Sequence, residues 1–484
     1  MSGLTRKTAS AVLWTLGSQA SVAVVSLASF TVLSRQVGVA AFGEYLLALV
    51  VLSAIQWCAN GAYREPVIQA PEIDERIAST VFWFTVGVGV VLAAVAAAAA
   101  LVLIHLGHEL VGRCVLWMLP RVFIETTNSV PQALAYRAMS FRLMAVQGAA
   151  GTVAGSALAI LLILQGLGVE GMAVAQNVAP LVTLLVLMGP RRGWRPRRHF
   201  AWADLGVLRR YTPHVLMWQF VEMLNTQLDR VLVGARLSPA ALGLYGFARR
   251  LNEVVIGVLV GAASNVALPV FSSLQREPQR LRPAFLKAVR LVSFGVFPVI
   301  AALFALADTF VPWVFGDKWA PAVFVYRCFL LLGLIQTIGI LQASVIRGLG
   351  HAALWSRYQV LQSAANAVVC LIAVPWGIEV LAIAVVVRTY VLWGYAVRMT
   401  CEVVGLRKRA YLRSIAPALA CSVGSGVLGV GVLRLAPLWP EVARLGLGCG
   451  VIGLAYLLLS WCLQRDTLRE GAELLWRRGV SADH

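Results

Sequence analysis

Long apolar blocks follow one another from Ser10 to Gln464, and polar residues gather in short stretches between them. A hydrocarbon core of about 30 Å takes about 20 helical residues to cross, because each residue rises only about 1.5 Å. Inside lipid a segment must satisfy its own backbone N–H and C=O groups, so blocks of this length are helices. The pattern predicts about fourteen, near residues 9–34, 40–62, 78–104, 110–136, 141–165, 169–189, 206–235, 239–265, 284–311, 320–346, 352–375, 377–400, 411–435 and 442–463. The fourth, seventh and eighth carry polar residues. The fold class is all-α, a polytopic membrane protein.

Composition removes the soluble alternative. Of 484 residues 60% are hydrophobic and 13% charged, and the mean hydropathy is +0.80; so little charged surface would not keep a chain of this size dissolved. Trp57, Tyr63, Trp439 and Trp461 fall near block ends, as interfacial aromatic belts do. Arg6 and Lys7 precede an apolar run that is too long for a signal peptide and has no clear cleavage site, so it reads as a retained first helix. The eight cysteines contain no CxxC pair, which argues against a metal site or a disulfide framework. His105 and His108 have HxxH spacing without acidic or thiol partners and read as a polar loop. No cofactor is implied.

The net charge is +19. In a soluble protein that balance would point to nucleic acid; here the charges alternate from loop to loop, as the positive-inside rule requires. One side holds Arg6, Lys7, Arg137, Arg142, the cluster Arg191, Arg192, Arg195, Arg197, Arg198, Arg209 and Arg210, then Arg276, Arg280, Arg282, Lys287, Arg290, Arg407, Lys408, Arg409 and Arg413. The other side holds little beyond Arg35, Arg113, Arg236, Lys318, Arg434 and Arg444. Both termini are therefore expected in the cytoplasm, with the basic loops against anionic headgroups. The tail from Arg465 to Arg478 reads either as an interfacial amphipathic helix or as a frayed end.

The chain carries traces of a duplication. Ala40-Ala41-Phe42-Gly43-Glu44-Tyr45 returns as Ala240-Ala241-Leu242-Gly243-Leu244-Tyr245, and Gly168-Val169-Glu170 returns as Gly377-Ile378-Glu379. The predicted organisation is a six-helix half at 1–190, a basic cytoplasmic linker at 191–205, a second six-helix half at 206–400, two further helices at 401–464 and a cytoplasmic tail at 465–484. Six spans per half give both halves one orientation, a parallel pseudo-twofold along the membrane normal.

Ionisable groups in mid-membrane cost roughly 2.5–3.5 kcal/mol and should face a partner or a wet cavity. Span four carries Arg121 and Glu125 one turn apart. Span seven carries Gln219, Glu222, Asn225 and Asp229 on one stripe, beside Arg230. Arg249, Arg250 and Glu253 follow in span eight, Arg327 in span ten and Arg388 in span twelve. Either these groups form a buried ion-pair network, or the surplus arginines line a cavity for an anion, for which the planar guanidinium fork is suited.

The segment 228–275, LDRVLVGARLSPAALGLYGFARRLNEVVIGVLVGAASNVALPVFSSLQ, resembles the Wzx-type polysaccharide flippases of the multidrug/oligosaccharidyl-lipid/polysaccharide transporter superfamily, through Asp229, Arg230, Gly234, Gly243, Tyr245, Arg250, Leu268 and Pro269. Phe315, Gly316, Lys318, Trp319 and Pro321 resemble a second family segment, and Gly17, Arg35, Gly38, Phe42, Gly43 and Arg64 fit its start. The resemblance implies a non-enzymatic flippase of the bacterial cytoplasmic (inner) membrane. It would move an undecaprenyl-pyrophosphate-linked oligosaccharide to the periplasmic leaflet by alternating access, with a polysaccharide polymerase complex as a further candidate partner. No GxxxxGK[ST] run is present, so an H+ or Na+ gradient is the expected drive. Candidate substrate-binding residues are Arg35, Arg121, Arg230, Arg249, Arg250, Arg327 and Arg388; candidate ion-coupling residues are Glu222, Asp229 and Glu125. A drug or cation exporter of the same superfamily and a non-transporting scaffold of polysaccharide assembly are the alternatives.

Overall fold

The structure is a computed structural model and describes residues 25–57, 63–70, 73–189, 194–435, 439–465 and 467–468. The start of the expected first helix, Arg191 and Arg192 of the linker and the tail beyond residue 468 lie outside the described residues. Helices account for nearly all of what is described, and no strand occurs among the described residues. Among the described residues ten helical segments are long and apolar enough to cross a membrane. The difference from fourteen lies where the sequence is weakest. The first helix, α1, is described only over 25–36, the fourth span is broken, and the seventh and eighth carry the polar residues.

The chain divides into two compact units, Met1–Gly246 and Phe247–His484. The first unit contains α1, α2 (Val39–Gln56), α3 (Arg64–Gln69), α4 (Glu75–His105), α5 (Glu109–Trp117), α6 (Leu119–Thr127), α7 (Ser129–Arg137), α8 (Phe141–Leu164), α9 (Gly168–Ala175), α10 (Val178–Met188), α11 (Gly206–Arg236) and the opening turns of α12 (Pro239–Ser273). Asp74 starts α4 by accepting the Ile77 N–H at 2.8 Å, which satisfies one orphan donor of the first turn. Arg137 ends α7 by donating to the carbonyls of Val67 and Ile68, C-terminal groups of α3 that have no partner within that helix.

The repeated motif has a structural counterpart inside this unit. A Cβ added to Gly43 would lie 1.7 Å from the Pro239 carbonyl oxygen, and one added to Gly243 would lie 2.1 Å from the Val39 carbonyl oxygen. Residues 200 apart therefore make the same contact in both directions, so α2 and the start of α12 meet about a local two-fold axis. The second motif repeats as local structure: Gly168 (φ 54°) and Gly377 (φ 100°) each begin a helix from a backbone conformation that favours glycine.

The linker is strapped to α4 over residues 194–205. Arg197 pairs with Glu75, its carbonyl accepts the Trp83 indole N–H at 2.8 Å, and Asp204 accepts the Thr80 hydroxyl at 2.9 Å and contacts His199 at 3.2 Å. Ser79 and Thr80 are fully buried as a result.

The second unit continues α12 and adds α13 (Pro278–Phe315), α14 (Val323–Gly348), α15 (Ala352–Ala373), α16 (Ile378–Val404), α17 (Lys408–Leu435) and α18 (Glu441–Leu463). The central helix here is α14: 72% of its apolar window is buried, against 17–44% for the other nine spans. Residues of α12, α13, α14, α15, α16 and α17 form one core, in which the Phe285 ring stacks on Tyr411 at 5.8 Å. The last two helices pack against α13 through Leu306, Leu433 and Ile452.

Candidate functional site

Span four is three short helices, α5, α6 and α7, and span six is divided between α9 and α10 at Gln176–Asn177. Pro120 and Pro180 each lack the N–H that a continuous helix needs. The Asn177 amide enters the first joint of span four: its Oδ1 accepts the Arg121 N–H at 2.7 Å and its Nδ2 donates to the Trp117 carbonyl at 2.8 Å. An unbroken helix would join those same two backbone groups, so a side chain from span six replaces a backbone bond of span four. Asn128, at the second joint, donates to the Pro180 carbonyl at 2.9 Å.

Arg121 and Glu125 form the expected pair, Nε to Oε1 at 2.8 Å, and each side chain is 25% exposed. Two glutamines join them that the sequence did not single out. Gln56 of α2 donates to Glu125 Oε2 at 2.8 Å. Gln176 accepts from Arg121 Nη1 at 2.9 Å and donates to the Tyr45 hydroxyl. The signal for Gln176 and Asn177 was present as two adjacent amides inside an apolar block.

The stripe of α11 does not face one way. Only Asp229 is buried; Gln219 and Asn225 are half-buried and Glu222 is exposed. Asp229 Oδ2 accepts the hydroxyl of buried Tyr245 at 2.9 Å, and its Oδ1 accepts the Arg230 N–H at 2.9 Å. Arg230 Nη1 contacts Gln227 at 3.4 Å. Arg35 is exposed at the end of α1.

In the second unit Arg249 pairs with Glu253 at 3.1 Å, and Arg250 reaches the same carboxylate at 3.7 Å. Arg327 pairs with Asp308 at 2.6 Å, donates to the Phe304 carbonyl and lies over the Phe304 ring at 5.4 Å. Asp308 was not counted among the span acids, so the sequence overstated the surplus of positive charge. Arg388 donates to the Gln362 carbonyl at 3.2 Å and to Thr389 Oγ1 at 3.1 Å. An apolar groove of about 460 Å³ between α13, α14 and α17, lined by Phe297, Phe304, Leu334, Leu419 and Val430, ends at Arg434. Among the described residues no group of three or more His, Cys, Asp or Glu side chains could hold a metal ion.

The segment around Phe315 and Trp319 is core. Both side chains are fully buried, and Trp319 stacks on Phe247 with centroids 4.2 Å apart while Phe315 meets the same ring edge-on at 5.1 Å.

A family model described as polysaccharide biosynthesis protein matches residues 32–324, which takes in the joints of spans four and six, Asp229 and the Phe315–Trp319 core. The chain belongs to that family. Curated relatives include the lipopolysaccharide biosynthesis protein WzxC of Escherichia coli K12, 24% identical over 345 residues and 69% of each chain. The teichuronic acid biosynthesis protein TuaB of Bacillus subtilis is 23% identical over 56% of each chain. The succinoglycan biosynthesis transport protein ExoT of Rhizobium meliloti is 24% identical over 64% of this chain and 63% of its own. The chain thus spans 56–69% of these relatives' lengths. Among solved structures, the fold matches the lipid II flippase MurJ in an inward closed conformation, with a TM-score of 0.75 and 12% identity over 94% of this chain and 99% of that one. It also matches an inward-facing multidrug resistance MATE family transporter of the MOP superfamily, with a TM-score of 0.56 and 16% identity over 80% of this chain and 94% of that one. At these identities the likeness shows the fold alone: that of a polytopic, all-helical membrane protein.

Proposed function

We propose that this chain flips a lipid-linked oligosaccharide, carried on undecaprenyl pyrophosphate, from the cytoplasmic to the periplasmic leaflet for surface or secreted polysaccharide. The observation that carries the reading is the family match over residues 32–324. The names of the relatives point the same way, since each is given to the biosynthesis of a polymer built from sugars. Alternating access moves the headgroup across a bacterial inner membrane, with both termini in the cytoplasm. The pyrophosphate would be met by Arg35, Arg230, Arg249, Arg250, Arg327 and Arg388, whose forks suit phosphate oxygens. The apolar groove between α13, α14 and α17 suits a length of the lipid tail. Coupling to H+ or Na+ falls to Asp229 and Glu222: Asp229 is a buried carboxylate that accepts the Tyr245 phenol and the Arg230 backbone N–H, and Glu222 is open on the same helix.

The test is loss of the gene in a strain without a redundant flippase. Lipid-linked repeat units should collect on the cytoplasmic leaflet and the polymer should disappear. Unchanged polymer yield overturns the proposal. In liposomes, Arg388→Ala should weaken transport and Arg388→Lys should restore it only in part, because lysine keeps the charge and loses the fork.

A further inference from the structure

The cluster around Arg121 and Glu125 differs in kind from an anion site. It holds one guanidinium and one carboxylate in direct contact, with Gln56, Gln176, Asn177 and Tyr45 as its other members. Its net charge is zero. A pyrophosphate approaching Arg121 would meet the Glu125 carboxylate at nearly the same distance, and attraction and repulsion would cancel. A coupling cation meets the same balance with the signs reversed.

What the cluster offers instead is hydrogen bonding. Arg121 uses Nε on Glu125 and Nη1 on Gln176, and its Nη2 donates to nothing among the described residues. Each Glu125 oxygen accepts one side-chain donor, from Arg121 and from Gln56, while a carboxylate has about four lone-pair sites. Free donors and free acceptors thus stand side by side on two groups that are each one-quarter exposed. That open quarter cannot face hydrocarbon without a heavy penalty, so it faces water. A sugar hydroxyl gives one hydrogen and accepts others, and two neighbouring hydroxyls on a ring match an adjacent donor and acceptor.

We infer that Arg121 and Glu125 form a subsite for uncharged sugar hydroxyls of the glycan. The inference rests on the reading of the chain as a mover of lipid-linked oligosaccharide. Gln56, Gln176 and Asn177 are positioning residues. Gln56 fixes the carboxylate and Gln176 the guanidinium, while Asn177 fixes the Arg121 backbone, holding the joint of span four at the register where both charged groups turn to the wet side.

The test uses the full chain in liposomes with two probes: undecaprenyl pyrophosphate bearing a neutral oligosaccharide, and unglycosylated undecaprenyl pyrophosphate as a competitor. The double variant Arg121→Gln with Glu125→Gln removes both charges together, leaves no unpaired ion and keeps amide donors and acceptors. It should raise the KM for the glycosylated probe, because neutral hydrogen bonds are weaker than charge-assisted ones, but by less than the alanine pair does. The double variant Arg121→Ala with Glu125→Ala removes the hydrogen bonds as well and should raise that KM about tenfold or more. In both variants the inhibition constant of the unglycosylated competitor should stay at the wild-type value. Asn177→Ala should raise the KM for the glycosylated probe without moving the competitor. If the amide variant loses transport as fully as the alanine variant, the charges themselves do the work and the subsite is refuted. A parallel rise in the competitor's inhibition constant refutes it too, because the cluster would then hold pyrophosphate. Should wild type move no glycosylated probe at all, the subsite and the proposed function fall together.

Discussion

Replacing Gly43 by alanine tests the tightest approach to a glycine among the described residues. The new Cβ would stand 1.7 Å from the Pro239 carbonyl oxygen and 2.6 Å from its carbon, whereas ordinary contact begins at 3.4 Å. The obstacle is backbone, so no rotamer relieves it and the gap must about double by moving α2 away from the start of α12. Overpacking of this kind costs about 1–3 kcal/mol, occasionally more. Alanine would regain up to about 1 kcal/mol of helix propensity over glycine. The balance is a loss, and shifting α2 also disturbs the mirror contact of Gly243 with Val39. Gly87 provides the control: it lies on an exposed face within α4 and nothing is within 4 Å of an added Cβ. Gly87→Ala should melt at or slightly above the wild-type temperature, and Gly43→Ala several degrees below it. Thermal unfolding of the purified protein in one detergent, followed by intrinsic fluorescence, makes the comparison. Equal melting of wild type and Gly43→Ala would refute the close approach and the local two-fold with it.

Other consequences follow from single contacts. Trp319→Ala removes a fully buried ring stacked on Phe247 and should cost about 3–5 kcal/mol, visible as a large loss of folded protein in the membrane fraction. Tyr245→Phe takes away the hydroxyl bound to buried Asp229 and should cost about 1.5–3 kcal/mol in the same melting assay; an unshifted transition would mean that Asp229 is satisfied elsewhere. Thr80→Val breaks the hydroxyl contact to Asp204 and should speed protease cleavage within residues 194–205 in inside-out vesicles, with no change at other sites. Cysteines introduced at positions 195 and 408 should be shielded from a membrane-impermeant thiol reagent in intact cells; labelling of position 195 from outside would reverse the assigned orientation.

The apolar blocks made the helical membrane fold legible, because lipid forces backbone self-satisfaction and leaves helices as the only economical solution. The Arg121–Glu125 pair was legible for a similar reason: one turn of helix brings the two together without help from the rest of the chain. What surrounds the pair was not. Asn177 acts on a joint 56 residues away, and Gln56 reaches Glu125 across 69 residues, contacts that no periodicity encodes. The repeat of Gly43 in Gly243 was visible as a motif, yet its meaning as a reciprocal contact needed the packing of α2 on α12. Periodicity placed Glu222 with Asp229 on one stripe of α11, but a helix does not bury a full stripe when its neighbour covers only part of its length; there Asp229 is buried and Glu222 is not. Asp308 escaped notice because it sits near the end of α13, where a carboxylate passes for a loop charge until Arg327 is seen beside it.

The spacing of these partners bears on how the chain enters the membrane during synthesis. Arg121 and Glu125 lie on one turn, so span four leaves the ribosome with its charges already matched. Asp229 meets Tyr245, 16 residues later, on the following helix, and Asp308 meets Arg327, 19 residues later, on the one after α13. A lone charge in hydrocarbon costs roughly 2.5–3.5 kcal/mol; the next helix brings Asp308 an opposite charge and brings Asp229 a hydrogen bond from a neutral phenol. Insertion can therefore proceed hairpin by hairpin, with α11 entering alongside α12 and α13 alongside α14.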